Sequence, residues 1–208
     1  DTRIDRTILG AGTRVLTQAI PATKSAGVSL WVPVGSRDEG PRTAGSTHFL
    51  EHLLFKGTNK RSALDIAVAF DSVGGESNAE TAREHTAYWA RVRDADLDMA
   101  IETLTDMVTD SRLDDEDFAM ERGVILDELA MGEDSPTDTV HDTFQLAVHG
   151  DRPIGRPVGG TAQAIREVER ADVWEHYQAH YGPSSLIVAA AGNVDHDSVC
   201  ERVQAALE

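Results

Sequence analysis

The sequence predicts that residues 1–208 form one α+β domain. Two patterns point to it. Short runs alternate apolar and polar residues, as in Val28-Ser29-Leu30-Trp31-Val32-Pro33-Val34, and longer runs keep helical spacing, as in Leu97, Ala100, Ile101, Leu104, Met107 and Val108. A third observation joins them: no internal repeat or low-complexity linker divides the 208 residues. A chain of this length buries about 70% of the surface its unfolded form exposes, enough for a proper core. Hydrophobic residues at 40% and charged residues at 26% are ordinary for a globular protein, and no apolar run approaches membrane-spanning length.

In order along the chain, Ile4 to Ile20 reads as a β-hairpin turning at Gly10-Ala11-Gly12. The alternating run 28–34 is a strand. Residues 35–43, rich in Gly, Asp, Arg and Pro, form a loop into a helix that Thr43 or Ser46 caps and Gly57 ends. A second helix covers Ala63 to Val73, and Gly74-Gly75 forces a turn. Ser77 to Val92 reads as one strand, with Thr86, Tyr88, Ala90 and Val92 on one side and Ala87, Trp89 and Arg91 on the other. Helices follow over Asp96 to Asp110, Asp114 to Met131 and Pro136 to Val148, the second opened by an acidic run that suits a helix N-terminus. Glu167 to Tyr181 is helical, Leu186 to Ala191 is a buried strand, and Asp195 to Leu207 is the last helix.

Net charge narrows the partners. With 19 basic against 36 acidic residues the chain carries −17, which argues against nucleic acid or an anionic membrane surface and favours a basic or neutral peptide. Cys200 is the one cysteine, so no internal disulfide and no cysteine-based zinc site can form. Any metal must be held by His and carboxylate. A single cysteine and no export signal lean towards a reducing cytoplasm. The chain opens on Asp1 rather than Met, which leaves room for an upstream segment.

The stretch Thr47-His48-Phe49-Leu50-Glu51-His52-Leu53-Leu54-Phe55 carries the chemistry. On a helix His48 and His52 leave the same face one turn apart and can close on one ion, with Glu51 beside them. Phe49, Leu50, Leu53 and Leu54 fall on the opposite side as a packing face. His-x-x-acid-His should arise roughly 0.05 times in a shuffled chain of this composition, so the pattern points to function. A catalytic zinc takes three protein ligands and leaves one position open, so a carboxylate must arrive from elsewhere. Glu121 and Glu128 lie seven residues apart on one helical face, with Val124 and Ile125 between them and Gly123 allowing close helix approach. His176 and His180 share the i, i+4 spacing, but no acid lies between them, and they read as an amphipathic helix face. His85, His141, His149 and His196 have no partner pattern.

His48-Phe49-Leu50-Glu51-His52, followed 76 residues after His52 by Glu128, resembles the inverted-zincin metallopeptidases of the pitrilysin, insulin-degrading enzyme and mitochondrial processing peptidase family. Phe55-Lys56-Gly57-Thr58, Gly74-Gly75-x-x-Asn78-Ala79 and Glu121-Arg122-x-Val124-Ile125-Leu126-x-Glu128 match its surroundings. The resemblance implies a mainly antiparallel β-sheet covered on one face by helices. It implies Zn²⁺ held by His48, His52 and Glu128, with Glu51 as the general base for the hydrolytic water and Glu121 orienting His52 or standing beside the metal. Phe55 would line a hydrophobic pocket for the residue after the cut, and Asn78 and Ala79 would lie on the strand edge that pairs with substrate. Asp138 and Asp142, four residues apart, match the place where the processing-peptidase branch reads an arginine near the cut.

Family members resemble two such domains or subunits closing around a chamber, the second supplying an arginine and a tyrosine near the scissile carbonyl. No stretch here matches that second half. The implied function is a zinc metalloendopeptidase acting on peptides or unfolded, presequence-like polypeptides and needing a second homologous domain or subunit, or a homodimer, for full activity. A non-catalytic scaffolding subunit of the same fold is the alternative. The complete set of three ligands and a base favours the enzyme.

Overall fold

The computed structural model describes residues 3–208. Six strands form one sheet: β1 (Ile4–Ile8), β2 (Arg14–Ala19), β3 (Ser25–Val32), β4 (Glu76–Thr81), β5 (Thr86–Arg93) and β6 (Ile187–Gly192). Their order is β1-β2-β6-β3-β5-β4, antiparallel at every pairing except β2 with β6. The expected mainly antiparallel α+β arrangement is what forms.

Alternation decides which face is buried. Val28, Leu30 and Val32 of β3, Tyr88, Ala90 and Val92 of β5, and Val188 and Ala190 of β6 are each at most 4% exposed, and the helices cover them. Helix α3 (Leu97–Thr109) lies on this face, and α8 (His196–Ala206) packs against α3 and β2. Leu16, Ser29, Trp89 and Ala189 line an open groove on the other face. His196 is the pin between α8 and the first hairpin: its ring nitrogens bond the hydroxyls of Thr17 and Thr7, each at 2.8 Å.

Helix α2 (Ala63–Asp71) packs on α3 and β4, while the metal-pattern helix, α1 (Ser46–Leu53), packs against α4 (Asp115–Glu133), α7 (Arg170–His180) and strand β4. The packing face of α1 is as expected, since Phe49, Leu50, Leu53 and Leu54 are all fully buried. Helix α5 (Pro136–His149) follows α4 directly and buries none of its side chains completely. No described helix is long and apolar enough to cross a membrane.

Several local expectations change. Residues 77–92 are a hairpin rather than one strand: Ala82 to His85 turn the chain, and the Ala82 N–H donates to the His85 carbonyl at 2.8 Å. The alternation continues through both arms and hides the turn. Strand β3 starts at Ser25 and stops at Val32, because Pro33 has no N–H for the ladder. The helix expected over 167–181 is α7, which starts at Arg170, and an unexpected short helix, α6 (Ala162–Glu167), precedes it, the two divided where Val168 is extended. The Arg122 guanidinium holds that break open by donating to the carbonyls of Ile165, Arg166 and Val168. Gly123 meets no other helix, since a Cβ there would find nothing within 4 Å.

The caps of α1 differ too. Neither Thr43 nor Ser46 caps it. The N-cap is Gly45, left-handed at φ 88°, and the helix ends at Leu53, four residues before Gly57. A Cβ on Gly45 would sit 2.5 Å from Ile165 Cδ1 and 3.1 Å from the Gly159 carbonyl oxygen. Positive φ and tight packing therefore both require glycine. Gly45→Ala is expected to destabilise the fold by about 2 kcal/mol or more and to lower Tm by about 4–8 °C. Thermal unfolding of the two proteins checks this, and an unchanged Tm would refute the requirement.

Candidate metal centre and peptide cleft

Helix α1 brings its two imidazoles together edge to face, with ring centroids of His48 and His52 4.9 Å apart. Glu128 reaches them from α4: its Oε2 lies 3.7 Å from His48 Nε2 and 3.4 Å from His52 Nε2. Among the described residues this is the one group of three or more His, Cys, Asp or Glu side chains placed to share an ion. Both separations exceed a hydrogen bond, while ligands of a tetrahedral zinc stand about 3.3 Å apart when each metal bond is about 2 Å. The donor set of two imidazole nitrogens and one carboxylate oxygen fits zinc. Burial lowers the His48 pKa, which keeps a lone pair available for a metal.

Glu121 stands behind this triad. It is 3% exposed, and its two oxygens are both engaged: Oε2 with His52 Nδ1 at 2.9 Å and Oε1 with Lys56 Nζ at 2.7 Å. Burial alone would raise its pKa, but the hydrogen bonds from Lys56 and His52 outweigh it and hold the carboxyl below the usual range. A charged Glu121 accepts the His52 Nδ1 proton and leaves Nε2 as the free lone pair facing Glu128. Lys56 was not singled out from the sequence. It lies four residues after His52, within reach of the same helix, and that was the available signal.

A buried carboxylate closes the other end of α1. Glu39 is 6% exposed and accepts the N–H groups of Gly45 and Thr47, each at 2.7 Å. Burial pushes its pKa up to about 7 against the lowering by those two N–H groups. No local pattern announced it, because six residues of loop separate it from the helix end it serves. His176 supports the same turn from α7, with Nε2 3.0 Å from Thr47 Oγ1, and burial pushes its pKa down to about 4. The His176 and His180 pair thus sits on an amphipathic helix, with His176 as a buried, neutral packing histidine.

The cleft beside the triad measures about 770 Å³ and includes His48, Glu51, Ala79, Glu128, Asp138 and Asp142. Glu51 accepts a hydrogen bond from Thr81 Oγ1 at 2.5 Å. Asp142 is paired with Arg83 at 3.2 Å, so of the two expected acids Asp138 is the unpaired one among the described residues. Phe55 and Asn78 line a separate pocket of about 370 Å³ with Ile66 and Ala67.

Ala79 lies on β4, an edge strand. Ala82 and His85 are a hydrogen-bonded pair, so pairs two residues away repeat that pattern and Ala79 and Thr81 turn their backbone groups to the free edge. The Ala79 N–H is met there by the Asn78 side-chain oxygen at 2.9 Å.

Residues 14–162 match the family model described as insulinase, peptidase family M16. The chain belongs to the M16 peptidase family. It is 52% identical over 205 residues to an uncharacterized zinc protease of Streptomyces coelicolor, covering 99% of this chain and 45% of that protein. A solved protease from Helicobacter pylori superposes with a TM-score of 0.94 at 26% identity, over 100% of this chain and 50% of that one. This M16 chain therefore spans about half the length of the relatives it matches. A solved M16 inactive domain from Pseudomonas fluorescens, 14% identical, reaches a TM-score of 0.88 over 99% of this chain and 50% of that one. That likeness shows the M16 fold alone.

Glu39 sets a pH dependence. Its folded carboxyl holds a proton more tightly than the unfolded chain does, so its contribution is present below the ordinary value of 4.5 and is lost as pH rises through about 7. The unfolding free energy of the unaltered protein minus that of Glu39→Gln is expected to fall by roughly 3 kcal/mol from about pH 4 to about pH 8. Denaturant melts across that range measure it, and a pH-independent difference would contradict the assignment.

Proposed function

We propose that this chain is the catalytic half of a zinc-dependent metalloendopeptidase that hydrolyses peptides or unfolded, presequence-like polypeptides. The supporting observation is the convergence of His48 Nε2, His52 Nε2 and Glu128 Oε2 beside Glu51 in an open cleft. His48, His52 and Glu128 would hold Zn²⁺, which when bound supplies the Lewis acidity that brings the pKa of water towards neutrality and polarises a carbonyl. Glu51 takes a proton from the attacking water and delivers it to the leaving amine, a role a carboxylate can fill once that pKa has been lowered. Glu121 acts through His52, fixing its tautomer and ring orientation while Lys56 keeps Glu121 ionised.

The substrate lies as an added strand on β4. The outward N–H of Ala79 donates to it once the Asn78 side chain swings away, and backbone pairing of this kind accepts many sequences. Phe55 lines the neighbouring apolar pocket. The cleft carries Glu80, Glu133, Asp138 and Asp142 besides Glu51 and Glu128, a lining that favours a positively charged segment. Tyr88 and Tyr181 are buried in the core, and Arg83 is tied to Asp142. Help for the oxyanion is therefore assigned to a second homologous half or subunit.

Two outcomes follow. Glu51→Gln keeps its zinc, read by elemental analysis, and loses at least about a hundredfold in peptide turnover when assayed with the second half present. Retained turnover would exclude Glu51 as the base. Supplying the second half to the unaltered chain raises turnover by two or more orders of magnitude, on the order of an oxyanion donor's effect. An isolated chain that is equally active would show that this half is complete.

A further inference from the structure

We infer that Thr81 is a positioning residue: its hydroxyl fixes the Glu51 carboxylate and ties the general base to the strand on which substrate is laid. The inference rests on the reading of Glu51 given above. It starts from one contact, the 2.5 Å hydrogen bond from Thr81 Oγ1 to Glu51 Oε2. A hydrogen bond to an ionised acceptor at this length is a strong one. Among the described residues Glu51 has no other hydrogen-bond partner, and its carboxylate lines the cleft beside His48 and Glu128. Thr81 holds one oxygen and leaves the other, Oε1, to take the proton.

A tether is useful only if its anchor is rigid, and this one is. Thr81 is the last residue of β4, paired across the ladder with Thr86. The Thr86 hydroxyl is itself bonded to the Val34 carbonyl at 3.0 Å. Just beyond Thr81 the hairpin tip is clamped from outside the sheet, where the N–H groups of Ser36 and Arg37 donate to the carbonyls of Ala82 and Arg83 at 3.2 and 3.0 Å. The clamp allows no side chain at Gly35, where a Cβ would lie 2.5 Å from the Ala82 carbonyl oxygen.

The hydroxyl is suited to a group that changes protonation during turnover. While Glu51 is a carboxylate, Thr81 donates to Oε2. Once Oε1 carries a proton, Oε2 is still an acceptor and the contact persists. The base is thus held in the same place before and after it takes the proton. Thr81 also turns its own backbone groups to the free edge, two residues beyond Ala79. One strand residue therefore faces both substrate backbone and base, which sets the distance between them.

The test uses the peptidase with both halves present and zinc bound. Thr81→Val keeps shape and strand propensity and removes the donor. Since it leaves every edge N–H and C=O in place, the expected loss falls on kcat, roughly 10- to 100-fold, with KM within about 2-fold. Zinc content and Tm should not change, and Thr81→Ser should restore kcat to within about 3-fold of the unaltered protein. An unchanged kcat in Thr81→Val, a loss carried by KM or zinc content, or a serine variant as impaired as the valine variant would each overturn the inference. Glu51→Gln, run alongside, separates the two layers. If it turns over substrate freely, the reading of the base has failed; if it is inactive while Thr81→Val is unimpaired, only the role of Thr81 has failed.

Discussion

Helix α1 has eight residues, and a helix of that length is not stable in water by itself. Everything the site can do depends on how the rest of the molecule holds those two turns. Phe49, Leu50, Leu53 and Leu54 supply most of the grip, each fully buried and each contributing roughly 1.5–3 kcal/mol by leaving water. Packing alone fixes position better than rotation about the helix axis, and the imidazoles need both. The polar contacts of Glu39 at the first turn and Glu121 at the last restrain rotation at opposite ends.

Those contacts also explain why so acidic a protein can concentrate carboxylates here. Glu39, Glu121, Glu51 and Glu128 all lie close to one short helix; Glu39 and Glu121 are buried, where an unpaired charge would be costly. Each is answered differently. Glu39 has backbone N–H groups and a pKa raised into the neutral range, Glu121 has Lys56 and His52, and Glu51 has the Thr81 hydroxyl. Glu128 is left with two imidazole nitrogens at distances too long for hydrogen bonds. Half exposed, it is the one of the four placed where a shared metal ion would sit.

The residues that were legible from sequence are those whose partners are local or periodic. His48 and His52 are one turn apart, and the alternation in β3 and β5 names their buried faces correctly. The motif's need for a third ligand pointed to Glu121 and Glu128, seven residues apart on one helix, and the resemblance to the family picked Glu128 between them. Thr81 and Arg122 act on residues thirty to more than forty positions away, so no window along the chain contains both partners, and Glu39 reaches its partners across a loop that carries no periodic pattern. The hairpin at Ala82 to His85 and the short helix before Val168 were missed for a related reason, since the Ser36 and Arg37 N–H groups that hold the first and the Arg122 guanidinium that holds the second come from far along the chain.

A similar M16 fold occurs in a domain described as inactive, so the scaffold does not select for chemistry. What the scaffold provides is an edge strand next to a short helix, and the side chains decide whether that proximity is used. Here β4 meets α1 through a hydroxyl on a carboxylate, and α4 meets α1 through one carboxylate on an imidazole and another beside both. The first contact sets the Glu51 carboxylate against the strand edge. The second sets the imidazoles against Glu128. Because both run through α1, a shift of that helix would move His48, His52 and Glu51 together, away from Glu128 on α4 and from the strand edge. The hairpin clamp at Ser36 and Arg37 removes that freedom, since the same loop that pins the strand tip continues through Glu39 into the first turn of α1. Strand β4, Glu51 and the two imidazoles are thereby referred to one segment of about a dozen residues, the order of rigidity that the proposed hydrolysis, sensitive to displacements of about 1 Å, would require.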